Sequence, residues 1–132
     1  MIVVDTDVIS YLLLPTPMTA SAETLYRDDP DWAAPLLWRS ELRNVLALYL
    51  RKGLLALDRA LTLQQEAERL MAGREYQVQS TEVLRLARES GCSAYDCEFI
   101  AVARDLGAPL VTADKRLLRA FPNRARGLAR GD

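Results

Sequence analysis

The strongest constraint on the fold lies at the amino terminus, where Met1-Ile2-Val3-Val4 runs into Asp5-Thr6-Asp7. Consecutive β-favouring residues at this point read as a strand buried on both faces, the kind found in parallel sheets. Asp5 then stands at the carboxyl end of that strand, where open α/β sheets place their ligands. Val8–Leu14 reads as a short helix, closed by Pro15 and Pro17.

The remaining chain keeps alternating. Thr19–Arg27 is expected to be a second short helix, with Thr19 as its N-cap. Residues 31–35 form a strand candidate that Pro35 ends. Leu37–Arg51 is the clearest helix, stopped by Lys52-Gly53, with Trp38, Leu42, Val45, Leu46 and Tyr49 as its apolar stripe. Leu57–Ala72 is a further amphipathic helix. Tyr76-Gln77-Val78 is a thin strand signal, and Ser80 is placed to cap a helix over Thr81–Glu89. Ser93-Ala94-Tyr95-Asp96 has the spacing of a capping box ahead of a helix over Cys97–Leu106. Leu110-Val111-Thr112 is a second buried strand, followed by Asp114 and a short helix to Ala120; Gly127–Ala129 is a weak edge strand. The pattern is that of an α/β domain with a mainly parallel sheet covered by helices. Its 132 residues suit one domain, with the last ten or so expected to trail as a tail.

Composition removes several chemistries. The chain has no histidine, which excludes Ser-His-Asp and Cys-His catalysis and imidazole metal ligation. Cys92 and Cys97 do not form a Cys-x-x-Cys pair and read as small packing residues. The net charge of −1 argues against strong unaided binding to nucleic acid. Lys52 and Lys115 are the two lysines among 17 basic residues, and Lys115–Arg130 holds Arg116, Arg119, Arg124, Arg126 and Arg130 as a basic, solvated stretch. No run approaches about 18 apolar residues and no basic leader precedes the first strand, so the expectation is a soluble, cytoplasmic protein.

Four acids interrupt this pattern. Asp5 and Asp114 follow strands. Glu41 falls at the edge of an apolar helix stripe beside Asn44, and Asp96 lies on the inner face of its helix. Counting about 100° per residue, Arg39 and Arg43 fall on the other side of Glu41's helix and do not face it. Each acid alone has a structural reading, as an ion pair or a helix cap. Together they suggest one shared site. Two like charges about 4 Å apart repel by on the order of 4 kcal/mol at an effective dielectric near 20, so such a cluster takes up protons or holds a cation. Oxygen donors without nitrogen or sulfur favour Mg²⁺ or Mn²⁺. Metal-assisted phosphoester hydrolysis is the chemistry these residues suggest.

Val4-Asp5-Thr6-Asp7-Val8, Trp38 to Leu46 around Glu41, Ser93-Ala94-Tyr95-Asp96 with Ile100–Ala103, and Leu110–Asp114 together resemble PIN-domain proteins, specifically the VapC toxins of toxin–antitoxin pairs. The resemblance runs to about Phe121 and rests on the order and spacing of the segments. It implies a three-layer fold and an acidic quartet of Asp5, Glu41, Asp96 and Asp114 binding Mg²⁺ or Mn²⁺. It also implies endoribonuclease activity by a metal-activated water. Asp5 and Asp96 would be core ligands, with Glu41 and Asp114 binding directly or through water. Thr112 and Ser93 would hydrogen-bond to these acids, with Asn44 and Asp7 beside them. The partners implied are an RNA substrate, a second copy of the chain and a small antitoxin through which DNA is met. Arg39, Arg43 and Arg116 are candidates for RNA contacts.

One position departs from the family, which often carries Asn or Ser two residues after the first acid. Here it is Asp7, read as the N-cap of Val8–Leu14, with a fifth acid at the site as the alternative. Two rival functions remain. Asp5-Thr6-Asp7-Val8 also resembles the opening motif of haloacid-dehalogenase-like phosphatases, although few residues remain to supply their later motifs. A PIN fold retained only to bind a partner is the other.

Overall fold

The computed structural model describes residues 1–129. Among them, β1 (Ile2–Val4), α1 (Thr6–Leu13), α2 (Thr19–Asp28), β2 (Trp32–Pro35), α3 (Leu37–Arg51) and α4 (Leu57–Met71) come first. They are followed by β3 (Glu75–Tyr76), α5 (Ser80–Ser90), α6 (Ala94–Leu106), β4 (Leu110–Thr112), α7 (Lys115–Ala120) and β5 (Ala125–Gly127). The strands form one parallel sheet in the order β3-β2-β1-β4-β5. β1 is central because every residue in it is buried and carries a shape that fits a covered sheet. From β1 the chain winds outward through β2 and β3, then returns to add β4 and β5 on the other side. The gap beyond the carboxyl ends of β1 and β4 is therefore the topological switch point, the usual ligand crevice of such sheets.

The helices close over this sheet. α6 lies along β1, β2 and β4, while α1 packs on α2, α3 and β4. Trp32, Trp38, Ile9, Leu42, Leu63, Met71 and Ile100 are fully buried in one core. Each such side chain contributes about 1.5–3 kcal/mol of burial. Cys92 and Cys97 are buried, unbridged packing residues.

Several boundaries differ from the sequence expectations, each for a local reason. α1 begins at Thr6 because Asp5, not Asp7, is the cap: its Oδ1 accepts from the Val8 amide at 3.0 Å. Thr19 does not cap α2. Met18 holds that position, and the Thr19 hydroxyl instead accepts from the Thr16 amide and donates to the Leu14 carbonyl, bracing the Pro15–Pro17 turn. Ser80 is already helical, behind Gln79. β3 begins at Glu75, earlier than its apolar signal, because Arg74 and Tyr76 carbonyls take the amides of Ala34 and Leu36. β5 comes two residues before the expected edge strand, paired from Ala125 to Gly127 against β4. The final stretch is thus no tail up to Leu128, which is buried. Arg130, counted in the basic stretch, lies outside the described residues.

Candidate functional site

A cleft of about 360 Å³ opens at the switch point. Its acidic lining is Asp5, Asp7, Glu41, Asp96 and Asp114, joined by Thr6, Ser40, Asn44 and Tyr95. Leu37, Val45, Phe99 and Leu117 give it an apolar wall. The acids expected from the sequence as a quartet therefore face one space.

Each reaches it by a different local device. Asp5 leaves the end of β1 and, besides capping α1, accepts through Oδ2 from the Thr112 hydroxyl at the end of β4. The same Thr112 oxygen accepts the Asp114 amide at 2.9 Å, so one buried hydroxyl ties both strand-end acids together. Asp114 caps α7 by accepting from the amides of Arg116 (2.8 Å) and Leu117 (3.4 Å). Gly91 ends α5 in the left-handed region, at φ 74°, and lets the chain turn back toward Ser93. Ser93 then caps α6 by accepting the Asp96 amide at 3.0 Å, which fixes Asp96 in the first turn. Glu41 projects from the second turn of α3, and its Oε1 accepts from the Thr6 hydroxyl at 2.7 Å. No arginine pairs with it among the described residues.

The electrostatics follow from crowding. Burial, reinforced by the charges of Asp7 and Asp114, raises the Asp5 carboxyl to about 7 against the opposing bonds from Thr112 and Val8. Asp7 is raised by desolvation and by Asp114 and Asp96, although the residue as a whole is open to solvent. Desolvation also raises Glu41, with Asp96, Asp7 and Glu98 adding to it and Thr6 opposing. Asp96 is raised by burial and Asp114, while Ser93 and the Arg116 guanidinium hold it down. Four of the five acids, Asp5, Asp7, Glu41 and Asp96, are thus raised by burial and by neighbouring carboxylates, a crowding that positive charge relieves. Even so, among the described residues no group of three or more acidic or cysteine side chains is arranged, as it stands, to hold a metal ion.

The other sequence candidates separate. Thr112 and Ser93 bond as just described, and Asn44 lines the cleft while largely exposed. Asp7 lines it too and is freed from capping, which corrects the sequence reading. Arg116 lies near Asp96 and is exposed; Arg43 is exposed and bonds to the Arg39 carbonyl and Ser40. Arg39 is not available in the same way. Its Nε and Nη2 hold both oxygens of Glu75 at 2.7 and 2.8 Å, and Nη1 reaches Glu68 at 3.1 Å. Glu75 also accepts from the Trp38 indole at 2.8 Å, so this network clamps the start of α3 to the sheet edge. Thr6 and Tyr95 were not singled out from the sequence. The signal for Thr6 was its position between two acids, and for Tyr95, a residue 64% exposed, its adjacency to Asp96.

The chain as a whole has counterparts. A family model described as PIN domain matches residues 2–121. Ribonuclease VapC3 of Pyrobaculum aerophilum is 27% identical over 124 residues, covering 92% of this chain and 95% of that protein. The crystal structure of PAE2754 from the same organism superposes with a TM-score of 0.73 at 25% identity, over 96% of this chain and 89% of the other. A structure of FitAB bound to an IR36 DNA fragment contains a chain with a TM-score of 0.75 at 21% identity, over 96% and 94% of the two chains. A sheet that sets acids at its switch point and a family model spanning nearly all of the chain agree: this protein belongs to the PIN domain family.

Proposed function

We propose that the chain is a divalent-metal-dependent endoribonuclease, the toxin of a toxin–antitoxin pair. The observation that carries this reading is the convergence of five carboxylates, from four separate segments, on one cleft at the switch point. An all-oxygen donor set favours Mg²⁺ or Mn²⁺ over zinc. Asp5 fits such an ion: it is 8% exposed, yet burial and like charge disfavour its ionised form, which a cation would relieve. Asp5 and Asp96 would hold it, with Glu41 and Asp114 direct or through water. When bound, such an ion neutralises phosphate charge and acidifies a water molecule.

The chain's own residues supply the rest. Thr112 and the Val8 amide fix Asp5, leaving Glu41 to orient a water for in-line attack. The apolar wall of Leu37, Val45, Phe99 and Leu117 limits bulk water, and the Tyr95 ring offers a stacking face to an unpaired base. Arg43 and Arg116 flank the cleft for backbone phosphates, a role that Arg39 does not share. A relative named as a ribonuclease and a similar chain within a DNA-bound FitAB complex support the wider picture. In it the chain dimerises, is covered by a small antitoxin, meets DNA through that partner and works in the cytoplasm. No helix among the described residues is long and apolar enough to cross a membrane. Membership of the PIN family leaves the phosphatase alternative without support.

The test is incubation of the purified protein with structured RNA and Mg²⁺ or Mn²⁺, with and without EDTA. Cleavage is expected to stop with EDTA and to fall by at least about 100-fold in Asp96→Asn. Cleavage that survives either change overturns the metal-site reading. A protein whose melting temperature does not respond to Mn²⁺ is instead a partner-binding module.

A further inference from the structure

Thr6 is buried, in the first turn of α1, between two acids of the cleft. A threonine hydroxyl there ordinarily bonds to its own backbone. This one reaches thirty-five residues along the chain and donates to Glu41 Oε1 at 2.7 Å. Among the described residues the protein offers Glu41 Oε2 no donor. Meanwhile the backbone of α3 is fixed without Thr6, because Trp38 and Arg39, in the turn before Glu41, are clamped by Glu75. The Leu36 amide adds a bond to the Tyr76 carbonyl at 3.0 Å. The clamp sets the rotation of the helix and leaves the Glu41 torsions to be set. Thr6 holds the carboxyl end of that side chain.

We propose that Thr6 is a positioning residue for the reaction. By occupying Oε1, it makes Glu41 a single-oxygen group that offers Oε2 to the cleft, suited to one fixed contact with an ion or with a water rather than to chelation through both oxygens. The inference rests on the ribonuclease reading of the cleft and adds to it the residue that fixes the geometry of Glu41.

The experiment is a double-mutant cycle of Thr6→Val and Glu41→Ala, with Thr6→Ser as the conservative variant. Valine keeps the branched shape and removes the donor. Thr6→Val is expected to lower kcat by about 10- to 100-fold with KM nearly unchanged. It is also expected to weaken Mn²⁺ binding by about tenfold, read without RNA from the electron paramagnetic resonance of free Mn²⁺. Thr6→Ser restores both, and in the Glu41→Ala background Thr6→Val has no further effect. Equal losses in the two backgrounds, or a serine that fails to restore, overturn the proposal. If Thr6→Val does not fold by circular dichroism, Thr6→Ala, which favours the helix, takes its place in the cycle. A wild-type protein that neither binds Mn²⁺ nor cleaves RNA refutes the ribonuclease reading itself, an outcome distinct from an additive cycle in an active enzyme.

Discussion

Replacing Asp5 by asparagine is expected to stabilise the metal-free protein at alkaline pH. Asp5 is buried at the end of β1 and its carboxyl is raised to about 7 from an ordinary 3.8. Each tenfold change in proton affinity is about 1.4 kcal/mol, so its ionised form costs the fold on the order of 4 kcal/mol above pH 7. The sign follows from proton counting. Between pH 4 and 7 the folded carboxyl holds its proton while the unfolded one has lost it, so raising the pH through this window destabilises the fold. Asparagine keeps an oxygen for the Val8 amide but meets the Thr112 hydroxyl with an amide, a loss of about 1 kcal/mol. The net gain of Asp5→Asn is therefore about 3 kcal/mol at pH 8 and under about 1 kcal/mol at pH 5.

Urea unfolding in EDTA at pH 5, 6.5 and 8 measures this directly. The Glu75 carboxyl, held below its usual range by Arg39, exerts its own effect below that window and does not confuse the comparison. Saturating Mn²⁺ nearly cancels this lead at pH 8 and reverses the order at pH 5. The wild type gains about 2.7 kcal/mol at 100 times its dissociation constant, and the variant does not. A stability difference that is flat from pH 5 to 8, or a wild type that grows more stable over that range, refutes the reasoning.

The clamp on α3 makes a separate prediction. Glu75 is 12% exposed at its side chain, and Glu75→Ala strands the buried Trp38 indole and releases Arg39, so the fold loses about 2 kcal/mol, measurable as a lower urea midpoint. Trp32 is fully buried with no acceptor for its indole nitrogen among the described residues, while its ring meets Tyr26 edge-on at 5.2 Å. Trp32→Phe therefore removes an unsatisfied donor along with some packing, and its melting temperature is expected to change by no more than about 1 kcal/mol would move it.

What the sequence made legible was what burial writes into it. β1 and β4 are short apolar runs that end near an acid, and the acid placement at a switch point follows once the sheet is parallel. α3 was readable to the residue because its stripe and its Lys52-Gly53 stop are both strong. The edge strands were blurred because β3 and β5 are held by backbone pairing, which leaves little periodic trace. The cap of α1 was misassigned for a different reason. Asp5 and Asp7 are both plausible caps, and only the three-residue reach of Asp5 Oδ1 to the Val8 amide decides between them. Thr6 escaped notice because its hydroxyl finds its partner across the fold, a pairing that no local spacing encodes.

Asp5 shows where fold and function pull apart. It ends β1, starts α1, binds β4 through Thr112 and lines the cleft, so its position is determined several times over. A neutral side chain could do the first three of these jobs at lower cost to the metal-free fold. Asp7 sharpens the same conflict, since it adds a charge beside Asp5 and, with the cap already supplied, is left only the small gain of an acid in the first turn of α1. Local rules broken without a structural return are a mark of functional positions. The strain that Asp5 and its neighbours impose in the absence of a cation is the same free energy that a bound cation recovers. Stability in EDTA and affinity for Mn²⁺ should therefore change in opposite directions as acids are removed from the cleft.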